Sequence, residues 1–184
     1  MLNDALELAQ EAMEKAFDRL QKDLARIRTG RANPTMLEEV RVDSYGTMMP
    51  IQQMATISVS DARMLVIKPW DRNNVAAIER SIINSSLGLN PSSDGVVVRV
   101  PIPPLTEERR LQLVKSVKEV GENAKIGVRH GRRDANELLK QAQKEKEISE
   151  DDMKRGLEKI QTLTDEFIKK VDDVLELKEA AVME

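Results

Sequence analysis

Hydrophobic positions recur along this chain with two different periods, and the switch between them divides it into three stretches. In the first, Leu2, Leu6, Ala9, Met13, Ala16, Leu20, Leu24 and Ile27 advance by threes and fours. That spacing puts them on one face of a helix. The helix is expected to stop at Thr29-Gly30, a glycine C-terminus, where Asn33-Pro34 opposes continuation. From Asn33 to Leu105 the period shortens. Val40 and Val42 alternate with charged residues into the turn Tyr45-Gly46, Thr56 to Val59 alternates again, and Met64 to Ile67 is a short apolar run ending at Pro69-Trp70. Val96 to Val100 reads as the last strand. Asn73 is the expected cap of one short helix carrying Val75, Ile78, Ile82 and Ile83. Beyond Pro101, Pro103 and Pro104 the helical period returns. Val114, Val117, Gly121, Ala124, Val128, Gly131, Ala135, Leu138 and Ala142 form the seam of a helix from Thr106 to about Lys146. Ser149 can cap a last helix with Met153, Leu157, Ile160, Leu163, Phe167, Val171 and Val174 as its seam.

Three long amphipathic helices, one before and two after a strand-rich segment, predict an α+β fold. It is an elongated three-helix bundle, residues 1–30 and 105–184, with a small β/α/β domain, residues 31–104, inserted into it. The chain crosses between the two twice, at Thr29, Gly30 and Arg31 and at Pro103, Pro104 and Leu105. Two short adjacent crossings predict a hinge with a variable domain angle.

Composition narrows the chemistry. With no cysteine there is no disulfide, thiolate nucleophile or cysteine metal cluster. No apolar run approaches the ~18 residues of a membrane span, and the N-terminal stretch has acidic residues where a leader peptide has basic ones. The expected setting is the cytoplasm, away from membranes. Aromatics are only 2% of the chain, so the core must be aliphatic. His130 is the only histidine, with no nucleophile or orienting carboxylate identifiable around it, and reads as a solvent-facing helix residue. Glu107-Glu108 and Asp151-Asp152 sit in helix first turns, where they stabilise the dipole. Phosphate-binding glycine loops are absent. Neither a catalytic residue, a metal nor a cofactor is expected.

Charge supplies the functional lead. The net charge is −3, but residues 106–146 hold eleven basic against seven acidic side chains, +4, whereas residues 147–184 hold six against twelve, −6. A second stripe of the long helix carries Lys118, Lys125, Arg129, Arg132, Arg133, Asn136 and Lys140. Charged helix faces are usually just solvated, but three arginines within five residues suit phosphate oxygens. Arg28 and Arg31 end the first helix while Arg109 and Arg110 begin the second, so they can add to the basic surface. Tyr45 and Trp70 are scarcely enough aromatics for a base-stacking reader. The expected mode is recognition of the backbone and shape of folded RNA, weakening steeply with salt. Met48-Met49, in the turn after Tyr45-Gly46, could meet a protein partner.

Several segments together carry a resemblance. IRTGRANP at 27–34, YGT at 45–47, LGLNP at 87–91, RVPIPPLTEERR at 99–110 and the arginines and aspartate of 129–134 resemble the bacterial and organellar ribosome recycling factors, in order and over essentially the whole chain. The resemblance implies an L-shaped molecule with a tRNA-like outline, acting after translation termination. It implies a monomer that binds large-subunit ribosomal RNA and the ribosome through the bundle and meets elongation factor G through the smaller domain. With that translocase, which uses the GTP, it would split the ribosome into subunits. The resemblance makes Arg110, Arg129 and Arg132 the first RNA contacts, with Arg28, Arg31, Arg109 and Arg133 behind them; Lys125 joins on charge. One departure stands out. Family members commonly have Asn and a bulkier apolar residue where this chain has His130-Gly131, which predicts a closer helix approach or a bend at Gly131. An RNA-binding or chaperone-like helical module without a motor partner is the alternative; a membrane-surface role fits poorly, since the outer two long helices are not basic.

Overall fold

The computed structural model describes residues 1–184. In chain order the elements are α1 (Leu2–Arg26), β1 (Arg41–Ser44), β2 (Thr47–Pro50), β3 (Ala55–Asp61), β4 (Met64–Pro69), α2 (Val75–Ile83), β5 (Ser92–Ser93), β6 (Val98–Pro101), α3 (Glu107–Lys144) and α4 (Glu150–Met183). They gather into two units, Met1–Thr29 with Glu107–Glu184, and Gly30–Thr106. This is an α+β architecture, a helical bundle interrupted by a small sheet domain. None of its helices is long and apolar enough to cross a membrane.

The bundle is packed around small residues. Gly131 is buried, and a Cβ there would stand 2.8 Å from Cβ of Ala12. At Gly127 it would stand 3.0 Å from Cβ of Ala16. The missing methyls therefore set how closely α1 and α3 approach, as expected for Gly131. Gly121 and Gly156 do the same against Leu175 and against Leu139 and Leu2. Two of the α3 seam positions differ from the periodic expectation. Leu113 and Leu139 are buried, whereas Val114 and Leu138 are half-buried, because a helix drifts against a strict three-four repeat over this length. The α4 seam also takes in Gly156 and Thr164; the Thr164 hydroxyl donates to the Ile160 carbonyl at 2.7 Å, which lets a polar side chain be buried.

Helix ends follow local chemistry. Ser149 accepts from the Asp152 amide at 3.0 Å and caps α4. Helix α3 closes with a Schellman turn, in which the Glu147 amide donates to Ala142 and that of Lys146 to Gln143. Lys146 takes the left-handed conformation this turn requires, φ 64°. The expected glycine stop of α1 is corrected. The helix ends at Arg26, with Ile27 already extended, and Gly30 lies beyond it. Gly30 instead occupies φ 77°, where a Cβ would fall 2.6 Å from the Leu105 side chain.

In the second unit β1 and β2 form a hairpin, and the other strands form an antiparallel sheet in the order β3-β4-β6-β5. Tyr45 and Gly46 have φ of 52° and 84°, the signs a two-residue hairpin turn needs. Leu65, Ile67, Val98 and Val100 project from one sheet face and meet Val42, Ile51, Ile78 and Ile82 in a closed aliphatic core. Three local expectations change here. Asn73 caps nothing; Asp71 caps the short 3-10 turn Arg72–Asn74 that leads into α2, accepting from the Asn73 amide at 3.0 Å, and α2 itself has no side-chain cap. Met48 and Met49 lie on β2, not in the turn; strand alternation exposes the first and half-buries the second. Val96 precedes the last strand, because Asp94 accepts from the amides of Val96 and Val97 and makes a turn of them.

Candidate nucleic-acid interface

The long regular α3 decides which basic side chains can act together. At ~100° per residue, Arg129, Arg133, Asn136 and Lys140 fall within a strip about 60° wide along the side away from the seam. Arg129 and Arg133 are exposed and enter no ion pair. The carboxylate nearest in sequence is turned aside: Asp134 Oδ2 sits 3.2 Å from Nδ1 of His130, one helical turn back on the flank. Two guanidinium groups are thus presented to solvent with their donors unspent.

Arg132 is held differently. It lies at the α4 edge of the strip, half-buried, and donates from Nη1 to Oε1 of Gln161 at 3.4 Å. Gln161 in turn donates to Asp165 at 2.9 Å. This long contact turns one edge of the Arg132 fork toward α4 without locking it. Sequence reasoning missed Gln161 and Asp165, although their i, i+4 spacing on the face opposing α3 is visible once the two helices are aligned. Between Arg132 and Lys140, the Oδ1 atom of Asn136 is buried without a hydrogen-bond donor. A buried acceptor left unpaired is costly, but with no exposed surface this oxygen is not presented to a ligand arriving from solvent.

The remaining candidates do not join this group. Lys125 is turned toward α4, with Nζ 2.6 Å from Asp172 and 3.8 Å from Glu122, so its charge is balanced inside the bundle. Arg110 lies about 29 Å along the helix from Arg129 and rotated by about 100° toward the seam, half-buried. Arg109 donates to Gln112 at 3.2 Å within its own helix. Arg28 is exposed in the bundle unit, and Arg31 belongs to the other unit.

The crossing residues have a defined geometry within the second unit. The Ala32 amide donates to the Ala62 carbonyl at 2.8 Å, and that of Ile102 to the Arg63 carbonyl at 2.7 Å. Both chain segments are therefore pinned to the tight turn between β3 and β4. Gly30 and Leu105 touch just beyond these bonds. Thr29 and Gly30 fall on opposite sides of the first unit boundary, and Pro103, Pro104 and Leu105 precede the second. No group of three His, Cys, Asp or Glu side chains converges on a metal-sized site.

Comparison with known proteins bears on this arrangement. The family model described as ribosome recycling factor matches residues 20–183. A ribosome-recycling factor of Syntrophomonas wolfei is 53% identical over 184 residues, all of both chains. That of Carboxydothermus hydrogenoformans is 49% identical, covering 100% of this chain and 99% of its own. Among solved structures, a ribosome recycling factor in solution matches with a TM-score of 0.67 and 42% identity, over 99% of this chain and 97% of that one. A second match, with a TM-score of 0.62 and 42% identity over 100% of both chains, is the T. thermophilus ribosome recycling factor bound with E. coli elongation factor G to the E. coli post-termination complex.

Proposed function

Because the chain belongs to the ribosome recycling factor family, we propose that it recycles ribosomes after termination, binding large-subunit ribosomal RNA through α3. The observation that carries this reading is the arginine strip. Arg129 and Arg133 have no ion pair, and Arg132 turns only one edge toward Gln161. Unpaired guanidinium forks a helical turn apart suit successive phosphates of folded RNA. Arg110 is a separate contact farther along the helix, and Arg28, Arg31 and Arg109 are contacts near the chain crossings. Lys125 is proposed only as a weak contributor, because Asp172 already balances it.

In this reading the protein is a strut and not a catalyst. It acts as a monomer in the cytoplasm and needs no cofactor, since GTP belongs to its partner, elongation factor G. The bundle anchors on RNA while the inserted unit receives the push of the translocase. Thr29, Gly30, Arg31, Pro103, Pro104 and Leu105 form the hinge. Pinning both segments to the β3–β4 turn supports this, because it confines flexing to the few residues beyond the bonds.

The test is light scattering of post-termination ribosomes with this protein, elongation factor G and GTP. Subunit splitting that requires all three, and that falls at least tenfold in Arg132→Ala, is the expected result. That factor corresponds to the ~1.5–3 kcal/mol of a charge-assisted contact. Ribosome binding without splitting, given a matched translocase, would leave only an RNA-binding module.

A further inference from the structure

Beyond the bundle, one surface of the second unit is built for contact and has no assigned role. The face of the β3-β4-β6-β5 sheet opposite the aliphatic core is bare. Three cross-strand rows lie on it, Thr56 opposite Lys68, Ser58 through Val66 and Arg99 to Ser92, and Asp61 through Met64 to Pro101. The first two rows carry no carboxylate; Asp61 stands in the third, at the end away from Trp70. Lys68 is exposed and enters no ion pair, and Arg99 is steadied by Asp94 at 3.0 Å from the neighbouring turn.

Trp70 stands at the end of this face, two residues beyond Lys68 along the same strand direction. It is 69% exposed, although its indole nitrogen already donates to the Thr56 hydroxyl at 3.2 Å. The bond satisfies the only polar atom of the side chain and fixes the ring, leaving its apolar surface to solvent. Tyr45, 79% exposed, donates its hydroxyl to Asp71, the residue after Trp70, at 2.8 Å. Both non-phenylalanine aromatics of the chain are thus held in place at one corner by their polar ends. Immobilised rings lose little entropy on binding, and an exposed, fixed aromatic beside cations and hydroxyls is the combination that receives stacked bases.

We infer that this sheet face is a second RNA surface, on which a single-stranded segment stacks one base on Trp70 and lays its backbone along Lys68, with Arg99, already paired with Asp94, as a minor contact. A polyanion is favoured over a protein partner because the two rows next to Trp70 offer cations and hydroxyls and one apolar side chain, half-buried Val66, while Met64, Pro101 and Asp61 lie in the row farthest from it. With a single stacking platform the contact is weak and sequence-tolerant, an addition to the arginine strip and not a replacement for it. The inference takes the source of the RNA from the ribosomal reading, but its test does not use ribosomes.

Trp70 is the only tryptophan, so its emission reports this surface alone. The full chain is titrated with an unstructured oligoadenylate of roughly twelve nucleotides, a length that spans one sheet domain. Saturable quenching that weakens with added salt is expected. Lys68→Glu should reduce the affinity roughly tenfold. Anisotropy of labelled RNA, read with Arg129→Ala and Arg132→Ala present so that the α3 strip contributes little, should show Trp70→Phe binding nearly as well as Trp70 and Trp70→Ala about tenfold more weakly, the factor that ~1.4 kcal/mol of stacking gives. Arg129→Ala with Arg132→Ala should leave the quenching unchanged, which separates this surface from the α3 strip. Absence of quenching would overturn the inference. So would equal quenching by inorganic polyphosphate, which has no bases, or quenching by elongation factor G and not by RNA. Subunit splitting by the parent protein is scored separately, so either reading can fail without the other.

Discussion

The two units use their small and aromatic residues in opposite ways. In the bundle, Phe17 and Phe167 pack against the core, while glycine and alanine line the contacts between helices. In the inserted unit Tyr45 and Trp70 are on the outside, and the core is mostly Ile, Leu and Val, with Ala32, Ala55 and Met54 at single positions and no glycine among its members. The spacing of packed helices depends on the side chains between them, ranging over about 8–10 Å, so removing a methyl draws two helices together. Strands are fixed ~4.8 Å apart by their own hydrogen bonds, and a layer over a sheet must stand ~10 Å away. A sheet domain therefore needs mid-sized branched residues to fill that gap, whereas a bundle can be tuned by single carbons. The bundle's outer surface inherits that regularity, and α3 presents its arginines at helical intervals. The inserted unit instead positions its exposed rings through individual hydrogen bonds.

If the units differ in this way they should fail separately, and the largest effect should come from the sheet core. Ile67, fully buried, pairs with Ile57 and Val98 in register. Ile67→Ala should destabilise the inserted unit by about 2–5 kcal/mol, the transfer and cavity cost of such a truncation. Amide exchange should rise across residues 30–106 while α1, α3 and α4 keep their protection. Equal loss in both units would show one cooperative block and remove the basis of the comparison.

The next effect tests whether missing methyls set the helix spacing. Ala12 Cβ belongs to a helix backbone and cannot swing away from a side chain at position 131. Gly131→Val should cost about 1–3 kcal/mol through overpacking, despite the better helix propensity of valine. Adding Ala12→Gly opposite it should recover a measurable part, and a denaturant double-mutant cycle reads the coupling directly. Strictly additive costs would mean the contact between these two positions is not what limits the approach of α1 and α3.

How much of this was readable in advance follows the same division. The three long helices, their seams and the close approach at Gly131 were legible because a repeated period survives one misplaced residue. The arginine strip was legible for that reason too, except that Lys125 lies close enough to α4 to be claimed by Asp172. Gln161, the partner of Arg132, was not legible, nor was Asp165 behind it, since both belong to another helix and only packing brings them near. In the inserted unit the strands were legible, but single-residue chemistry was misassigned. Asp71 caps the turn ahead of α2 while Asn73 caps nothing, and Gly30 serves the contact with Leu105 and not the end of α1. A turn is decided by one hydrogen bond, and several nearby residues can make it.

Acid should also separate the units, by a smaller effect. Asp94 accepts from the amides of Val97 and Val96 and from Arg99, and these bonds lower its pKa from 3.8 to about 2. A carboxyl whose folded pKa is depressed stabilises the fold above its unfolded value and loses that contribution as pH falls through the folded one. The benefit is thus complete above about pH 4 and disappears toward pH 2. Asp94→Asn should weaken the inserted unit at neutral pH, and the difference from the parent should shrink between pH 4 and pH 2. Trp70 emission follows that unit, while far-UV circular dichroism is dominated by the bundle. A difference that persists unchanged at pH 2 would mean the charge of Asp94 contributes nothing to the turn.

The smallest predicted effect is a gain, and it lies in the bundle. Lys146 occupies the left-handed position of the Schellman turn after α3, φ 64°, where glycine is the usual residue. An L-residue there carries a penalty of about 1–2 kcal/mol. Glycine would remove it but would lose roughly 0.5–1 kcal/mol through the greater freedom of its unfolded chain. Lys146→Gly should therefore stabilise the bundle by about 0.75 kcal/mol, the difference between the midpoints of two ranges whose difference spans roughly 0–1.5 kcal/mol. The hydrogen bonds from Lys146 and Glu147 to Gln143 and Ala142 need only backbone atoms and should persist. The gain should appear in urea unfolding followed by circular dichroism, with no change in the Trp70 transition if the units unfold separately. A loss of stability would mean the lysine side chain contributes to closing α3, which would make this helix end, like the turns of the inserted unit, dependent on one side chain and not on backbone regularity alone.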